Sequence, residues 1–225
     1  MWPDVEPRGA IDESLVRLVG GLQTGASNVL GQRGEAVVAD YRDYVDATSR
    51  QLQPHFALGD IDELLRTRTF WATFDVPGAF THVQQLVRHE LEVISNRLDH
   101  MERQLGEFRQ HWAGPARLVV VDTNVFVENT KRFDQIDWYS ATDQRPNRPI
   151  RLIVPLMVVD ELDNLKTRAR QDRQLRVRHT LIELETLLHN GDRAALPNAH
   201  ASYPQVTIEV LPDPRRHERL SNADA

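Results

Sequence analysis

Leu118, Val119, Val120 and Val121 run without alternation and stop at a carboxylate, Asp122, followed by Thr123 and Asn124. A strand with one wet face would alternate. An unbroken apolar run instead fits a strand buried on both faces, as in a parallel α/β sheet. The carboxyl ends of such strands form the mouth where these sheets hold ligands. Asp122 thus stands where chemistry is usually done. It also suits an N-cap, since an Asp side chain accepts from the free amides of a helix that starts after it. Apolar residues resume at Val125 and Phe126, so both roles stay open.

The rest of the C-terminal half supports an α/β reading. Residues 143–149 are a loop by composition, and residues 150–154, Ile-Arg-Leu-Ile-Val, form a second apolar strand. Pro155 ends it and suits the first turn of a helix with Leu162, Leu165 and Ala169 on its apolar face. A further helix is expected over about residues 173–189 with Gly191 as its stop, and a third strand at residues 206–210. Strands alternating with helices predict a parallel sheet.

Residues 1–112 read as helical. Asp12 is placed to cap a helix carrying Leu15, Leu18, Val19 and Leu22, whose end is blurred by Gly20, Gly21 and Gly25. A second helix carries Val37, Val38, Tyr41, Tyr44, Val45 and Leu52 and is interrupted by Pro54. A short helix near residues 61–65 follows, then Phe70 and Trp71 as core. From about Gly78 the residues Val87, Leu91, Ile94, Leu98, Met101, Leu105, Phe108 and Trp112 step alternately by four and three. That is a heptad seam on a helix of roughly 35 residues, and it requires partner helices. They lie in the same chain, making a small bundle, or in a second chain, making a homo-oligomer or a docked protein partner. His82, His89, His100 and His111 lack the i, i+4 spacing of a helical metal site and read as solvated. Gly114-Pro115 breaks the helix, giving a helical domain at 1–113 and an α/β domain at 116–225.

Composition narrows the function classes. The chain has no Cys, which excludes thiolate metal sites, disulfide scaffolds and Cys nucleophiles. No apolar run approaches the ~18 residues of a membrane span. The start, Met-Trp-Pro-Asp-Val-Glu-Pro, is unlike a secretory signal, so a cytoplasmic protein without a membrane role is expected. The net charge is −6, and residues 116–225 balance 16 basic against 16 acidic side chains. The deficit therefore lies wholly in the N-terminal part, and a nucleic-acid partner would meet the C-terminal part.

Three acids carry the chemical argument. Asp122 ends the first strand, Glu161 follows the second, and Asp224 lies in a terminal Leu-Ser-Asn-Ala-Asp-Ala that looks like a helix start. All three project from one end of the sheet or from a helix beside it. Carboxylates gathered without basic partners share protons or bind a cation, and oxygen donors favour Mg²⁺ or Mn²⁺.

At these residues the chain resembles the PIN-domain family of metal-dependent nucleases. The resemblance rests on Val119-Val120-Val121-Asp122-Thr123-Asn124-Val125, on the block 153–166 containing Asp160-Glu161-Leu162-Asp163-Asn164-Leu165-Lys166, and on Ser221-Asn222-Ala223-Asp224-Ala225. The second block is similar to the PhoH-associated and RNA-surveillance branches. The resemblance covers residue 116 onward and leaves the helical part untouched. It implies a three-layer α/β/α domain and a metal-dependent endoribonuclease that hydrolyses RNA with a metal-activated water. It implies Asp122, Glu161 and Asp224 as metal ligands, with Thr123 and Asn124 supporting them. The family continues past its third acid into further strands and a fourth acid, whereas this sequence stops one residue after Asp224. A sheet incomplete at the C-terminus is therefore expected, in a fragment or a truncated product, with the first strand left as an open apolar edge.

Other readings stand beside these. Asp160 and Asp163 flank Glu161, but a helix turns them about 100° and 200° away, so they read as solvated. Asp224 without the resemblance is a surface acid at a chain end. The basic run from Lys166 to Arg178 puts Lys166, Arg170 and Arg173 on one helix face, either as RNA contacts or as a solvated surface. A haloacid-dehalogenase-like phosphatase needs a second Asp two positions after the first, where this chain has Asn124. The alternative function is a non-catalytic interaction module, with a degenerate PIN fold behind a heptad helix that pairs with itself or docks a partner.

Overall fold

The computed structural model describes residues 4–34, 36–75, 81–129, 131–143, 145–168, 170–196 and 204–213. They belong to two compact units, Met1–Ala113 and Gly114–Ala225.

The first unit is built from helices α1 (Glu13–Leu30), α2 (Ala36–Leu52), α3 (Leu58–Leu65), α4 (Arg68–Asp75) and α5 (Thr81–Trp112). Asp12 caps α1, its carboxylate accepting from the Leu15 amide at 2.9 Å. The helix runs straight through Gly20, Gly21 and Gly25. These glycines, which blurred the helix end in the sequence, include two sites of close approach. A Cβ on Gly20 would stand 2.5 Å from the Glu102 carboxylate, and one on Gly25 3.2 Å from the Tyr44 ring.

Helix α5 has 32 residues, about 48 Å at the α-helical rise. Its seam residues Val87, Leu91, Ile94, Leu98 and Leu105 are fully buried and Met101 is 3% exposed. They share one core with Leu15, Val19 and Leu22 of α1 and Val38, Tyr41 and Val45 of α2. The seam thus finds its partner helices inside the chain, and its buried residues are not available to a second one. Phe108 and Trp112 are only half-buried, with ring centroids 6.0 Å apart. Of the two aromatics expected in the core, Phe70 is 2% exposed but Trp71 is 58% exposed, because adjacent residues on a helix point about 100° apart. No described helix is long and apolar enough to cross a membrane.

The second unit holds strands β1 (Arg117–Val120), β2 (Ile150–Pro155), β3 (Arg193–Ala195) and β4 (Val206–Leu211) in the order β1-β2-β4-β3. β1, β2 and β4 are mutually parallel, and β3 runs antiparallel to β4. The sheet is therefore mixed, mostly parallel, where the alternation of strands and helices predicted a parallel one. The antiparallel strand is the short Arg-Ala-Ala segment, which carries no β-branched residue to announce it.

Helices α6 (Thr123–Glu128), α7 (Trp138–Ala141), α8 (Leu156–Arg168) and α9 (Gln171–Leu188) complete this unit, with a 3-10 turn at Phe133–Gln135. Val121, Leu152, Val154 and Ile208 on one sheet face join Phe126 of α6, Val158 and Leu162 of α8 and Val177 and Leu184 of α9 in one core. β2, flanked on both sides, buries five of its six residues. β1 is an edge strand among the described residues, and its run is only half covered. Val121 just beyond it is 2% exposed, whereas Leu118 is 47% and Val120 70% exposed. The burial on both faces expected for the run 118–121 is therefore not met in β1; it is β2 that is buried on both faces.

On the same side as Leu118 and Val120, the register places Arg151 and Glu209. Both are buried, and both Nε and Nη2 of Arg151 donate to Glu209 Oε2. Arg193, directly across from Glu209 on β3, donates to the same oxygen at 3.1 Å. Burying a charge is costly unless it is paired, and this pairing ties β2, β4 and β3 together.

Candidate metal centre

The parallel strands β1 and β2 end side by side, and each turns at once into a helix, β1 into α6 and β2 into α8. That geometry brings together side chains far apart in sequence. Asp122 is the N-cap of α6, and its Oδ1 accepts from the Val125 amide at 3.1 Å. The capping role that the sequence left open is therefore real. It uses only one carboxylate oxygen; the residue is exposed, and its second oxygen accepts no hydrogen bond among the described residues.

Glu161 lies in the second turn of α8 and is half-buried. Its Oε2 accepts from the hydroxyl of Thr123. Thr123, the residue next to Asp122, therefore links the first strand-helix junction to the acid of the second. No Lys or Arg forms an ion pair with Asp122 or Glu161 among the described residues. Asn124 is exposed and borders an open hollow beside β1, together with Val120, Asp122, Glu128 and Trp138.

Two acids, each with an oxygen that accepts no hydrogen bond and with no cationic partner among the described residues, fit a hard divalent ion such as Mg²⁺ or Mn²⁺. Among the described residues no group of three His, Asp or Glu side chains stands together. Asp224, the third predicted ligand, lies outside the described residues. Asp160 and Asp163 are both exposed, and Asp163 is engaged with Lys166 at 3.2 Å.

The basic run is arranged differently from the single helix face expected for it. α8 ends at Arg168, and Arg170 is the N-cap of α9 with extended backbone, φ −66° and ψ 155°. The break puts Lys166 on one helix and Arg173 on the next. Arg173 is paired with Glu128 of α6 at 2.8 Å. Arg170 is exposed.

Arg176, also from the basic run, stands instead with three residues that no sequence pattern marks, Lys131, Arg132 and His179. Lys131, Arg132, Arg176 and His179 line one small pocket at the far end of α6. Lys131 and Arg132 lie more than 40 positions from Arg176 and His179, so the basic run marks only Arg176.

Residues 119–222 match the family model of the PIN domain. The PIN match begins within β1 and spans Asp122, Thr123, Asn124 and Glu161. PIN domains are typically nucleases that depend on divalent metal ions and act on nucleic acid. The helical unit lies outside the match, as does Asp224. Neither a curated protein nor a solved structure matches the chain.

Proposed function

We propose that the PIN unit is a Mg²⁺- or Mn²⁺-dependent endoribonuclease, with Asp122, Glu161 and Asp224 as the acids that hold the ion. The observation that carries this reading is the hydrogen bond from Thr123 to Glu161. It joins the end of the first strand to the acid after the second, at the mouth of a parallel sheet, within the span of the PIN match. The block 153–166 favours a PhoH-associated or RNA-surveillance type of PIN nuclease.

Each residue has a distinct part. Asp122 presents its free oxygen outward while its other oxygen fixes the start of α6. Thr123 holds the Glu161 carboxylate in one orientation and leaves Oε1 to the site. Asn124, at the rim of the hollow beside β1, orients Asp122 or the substrate strand. A divalent ion bound there supplies polarisation of a phosphoryl oxygen and a lowered pKa for water.

Cleavage of labelled single-stranded RNA with Mn²⁺ or Mg²⁺, against EDTA, tests the proposal. Metal-dependent cleavage lost in Asp122→Asn and in Glu161→Gln supports it. Cleavage that survives EDTA or the double variant contradicts it.

A further inference from the structure

The pocket at the far end of α6 has no part in the carboxylate site. Lys131 and Arg132 enter it from the segment after α6, Arg176 and His179 from α9, and Asn129 and Thr180 complete its polar lining. The acids near it are few. Arg132 pairs with Asp134 at 3.2 Å and with Glu183 at 3.3 Å, and His179 stands 3.5 Å from Glu183. Lys131 and Arg176 have no carboxylate partner among the described residues. Arg176 is instead held by carbonyls at the end of α6, donating to Asn129 O at 2.8 Å. That anchor fixes the guanidinium at the pocket while leaving other donors of its fork uncommitted.

Cations that only solvate a surface splay into water. Here two exposed cations with no carboxylate partner among the described residues line one concavity with a histidine and a buried threonine, and such a hollow focuses positive potential. A planar guanidinium beside an ammonium suits a phosphate group. The aromatic residue lining the pocket, Phe126, is 4% exposed and offers no face for base stacking. Phosphate contacts position a strand and base contacts select it, so a pocket of this composition serves positioning. α6 has six residues, a rise of about 9 Å, which separates the pocket from Asp122 by little enough for one bound strand to reach both.

We propose that Lys131, Arg176 and His179 form a subsite for a backbone phosphate of single-stranded RNA, seating the strand so that it enters the Asp122–Glu161 site at the other end of α6. This rests on the ribonuclease reading for the direction of the strand, and on the pocket itself for the phosphate.

The test uses the full chain in EDTA, where binding is read without cleavage. Fluorescence anisotropy follows a labelled single-stranded RNA across a salt series for the wild type, Lys131→Gln and Lys131→Gln/Arg176→Gln. Circular dichroism checks the fold of each, and Lys131→Gln alone leaves the α6 anchor untouched. Each lost phosphate contact lowers the salt slope by about 0.7 for a single strand. The single variant is expected to weaken binding about 3- to 10-fold, and the double variant further, with an abasic oligonucleotide behaving like the RNA. Wild-type affinity and slope in both folded variants overturn the subsite, whether or not the chain cleaves RNA with Mn²⁺. Pocket-dependent binding without any metal-dependent cleavage removes the nuclease reading and keeps the phosphate site. An orthophosphate titration separates the other source. Orthophosphate binding lost in Lys131→Gln while RNA affinity stays unchanged overturns the RNA assignment.

Discussion

The hydroxyl of Thr123 donates to the carboxylate of Glu161, a residue 38 positions further along the chain. The hydrogen bond spans the two strand-helix junctions that carry the candidate site. Replacing Thr123 by Val removes the donor and leaves a half-buried carboxylate oxygen without a partner. A loss of about 1 kcal/mol in stability is expected. A 10- to 100-fold loss in metal affinity is expected as well, the usual size for a group that orients a ligand. Thr123→Ser keeps the hydroxyl and restores both. Urea denaturation and Mn²⁺ titration read the two effects separately.

Asp122 does two jobs, and two substitutions separate them. Asn caps a helix about as well as Asp, so Asp122→Asn should leave stability within a few tenths of a kcal/mol while abolishing metal-dependent cleavage. Asp122→Ala should lose cleavage and also about 1 kcal/mol. Equal cleavage in Asp122→Asn and the wild type would leave Asp122 with the cap alone.

Arg151 and Glu209 are 4% and 3% exposed. Arg151→Met removes the buried guanidinium and leaves Glu209 its contact with Arg193, whose side chain is 40% exposed. It is expected to destabilise the α/β unit by about 3 kcal/mol, the low end for a broken buried pair, because Arg193 still offsets part of the Glu209 charge. Adding Glu209→Gln should recover much of that loss, because it removes the poorly compensated buried charge. Thermal melts of both variants measure the difference.

In the helical unit, Tyr44 is tucked against α1 and its hydroxyl donates to the Leu22 carbonyl at 2.9 Å. Burial pushes its pKa up from the usual 10 to about 12. Tyr41, fully buried, is raised still further by burial and by the nearby Glu90 charge. Both phenols are held neutral in the folded state, while the unfolded chain ionises near pH 10. Their contribution is complete below pH 10 and drains away as pH rises toward 12. Stability should therefore fall over that interval, and less steeply in Tyr44→Phe. A wild type with the same profile as Tyr44→Phe would contradict the shift.

What could be read from the sequence was whatever local pattern decides. The four-three spacing from Val87 to Leu105 marks a helix whose seam must be covered, and it is covered by α1 and α2. The Asp cap at residue 12 and the acid-bearing strand ends are equally local. What escaped depends on neighbours distant in sequence. An apolar run does not say whether a strand is central or at an edge, so β1 and β2 look alike in sequence and differ in exposure. The antiparallel β3 exists because β4 offers it an edge, not because Arg-Ala-Ala favours a strand. The break between α8 and α9 falls at Arg168 to Arg170, where neither Gly nor Pro signals it. The pocket of Lys131, Arg132, Arg176 and His179 forms only when α9 folds back beside the end of α6.

The proposed nuclease site requires that Asp122 and Glu161 share one divalent cation. Titrating MnCl₂ into the wild type, Asp122→Asn and Glu161→Gln by isothermal calorimetry tests it without reference to any substrate. The expected result is a saturable Mn²⁺ site in the wild type that Mg²⁺ competes for and that either substitution weakens at least tenfold. Identical Mn²⁺ binding in all three proteins, or none in a folded wild type, would contradict it.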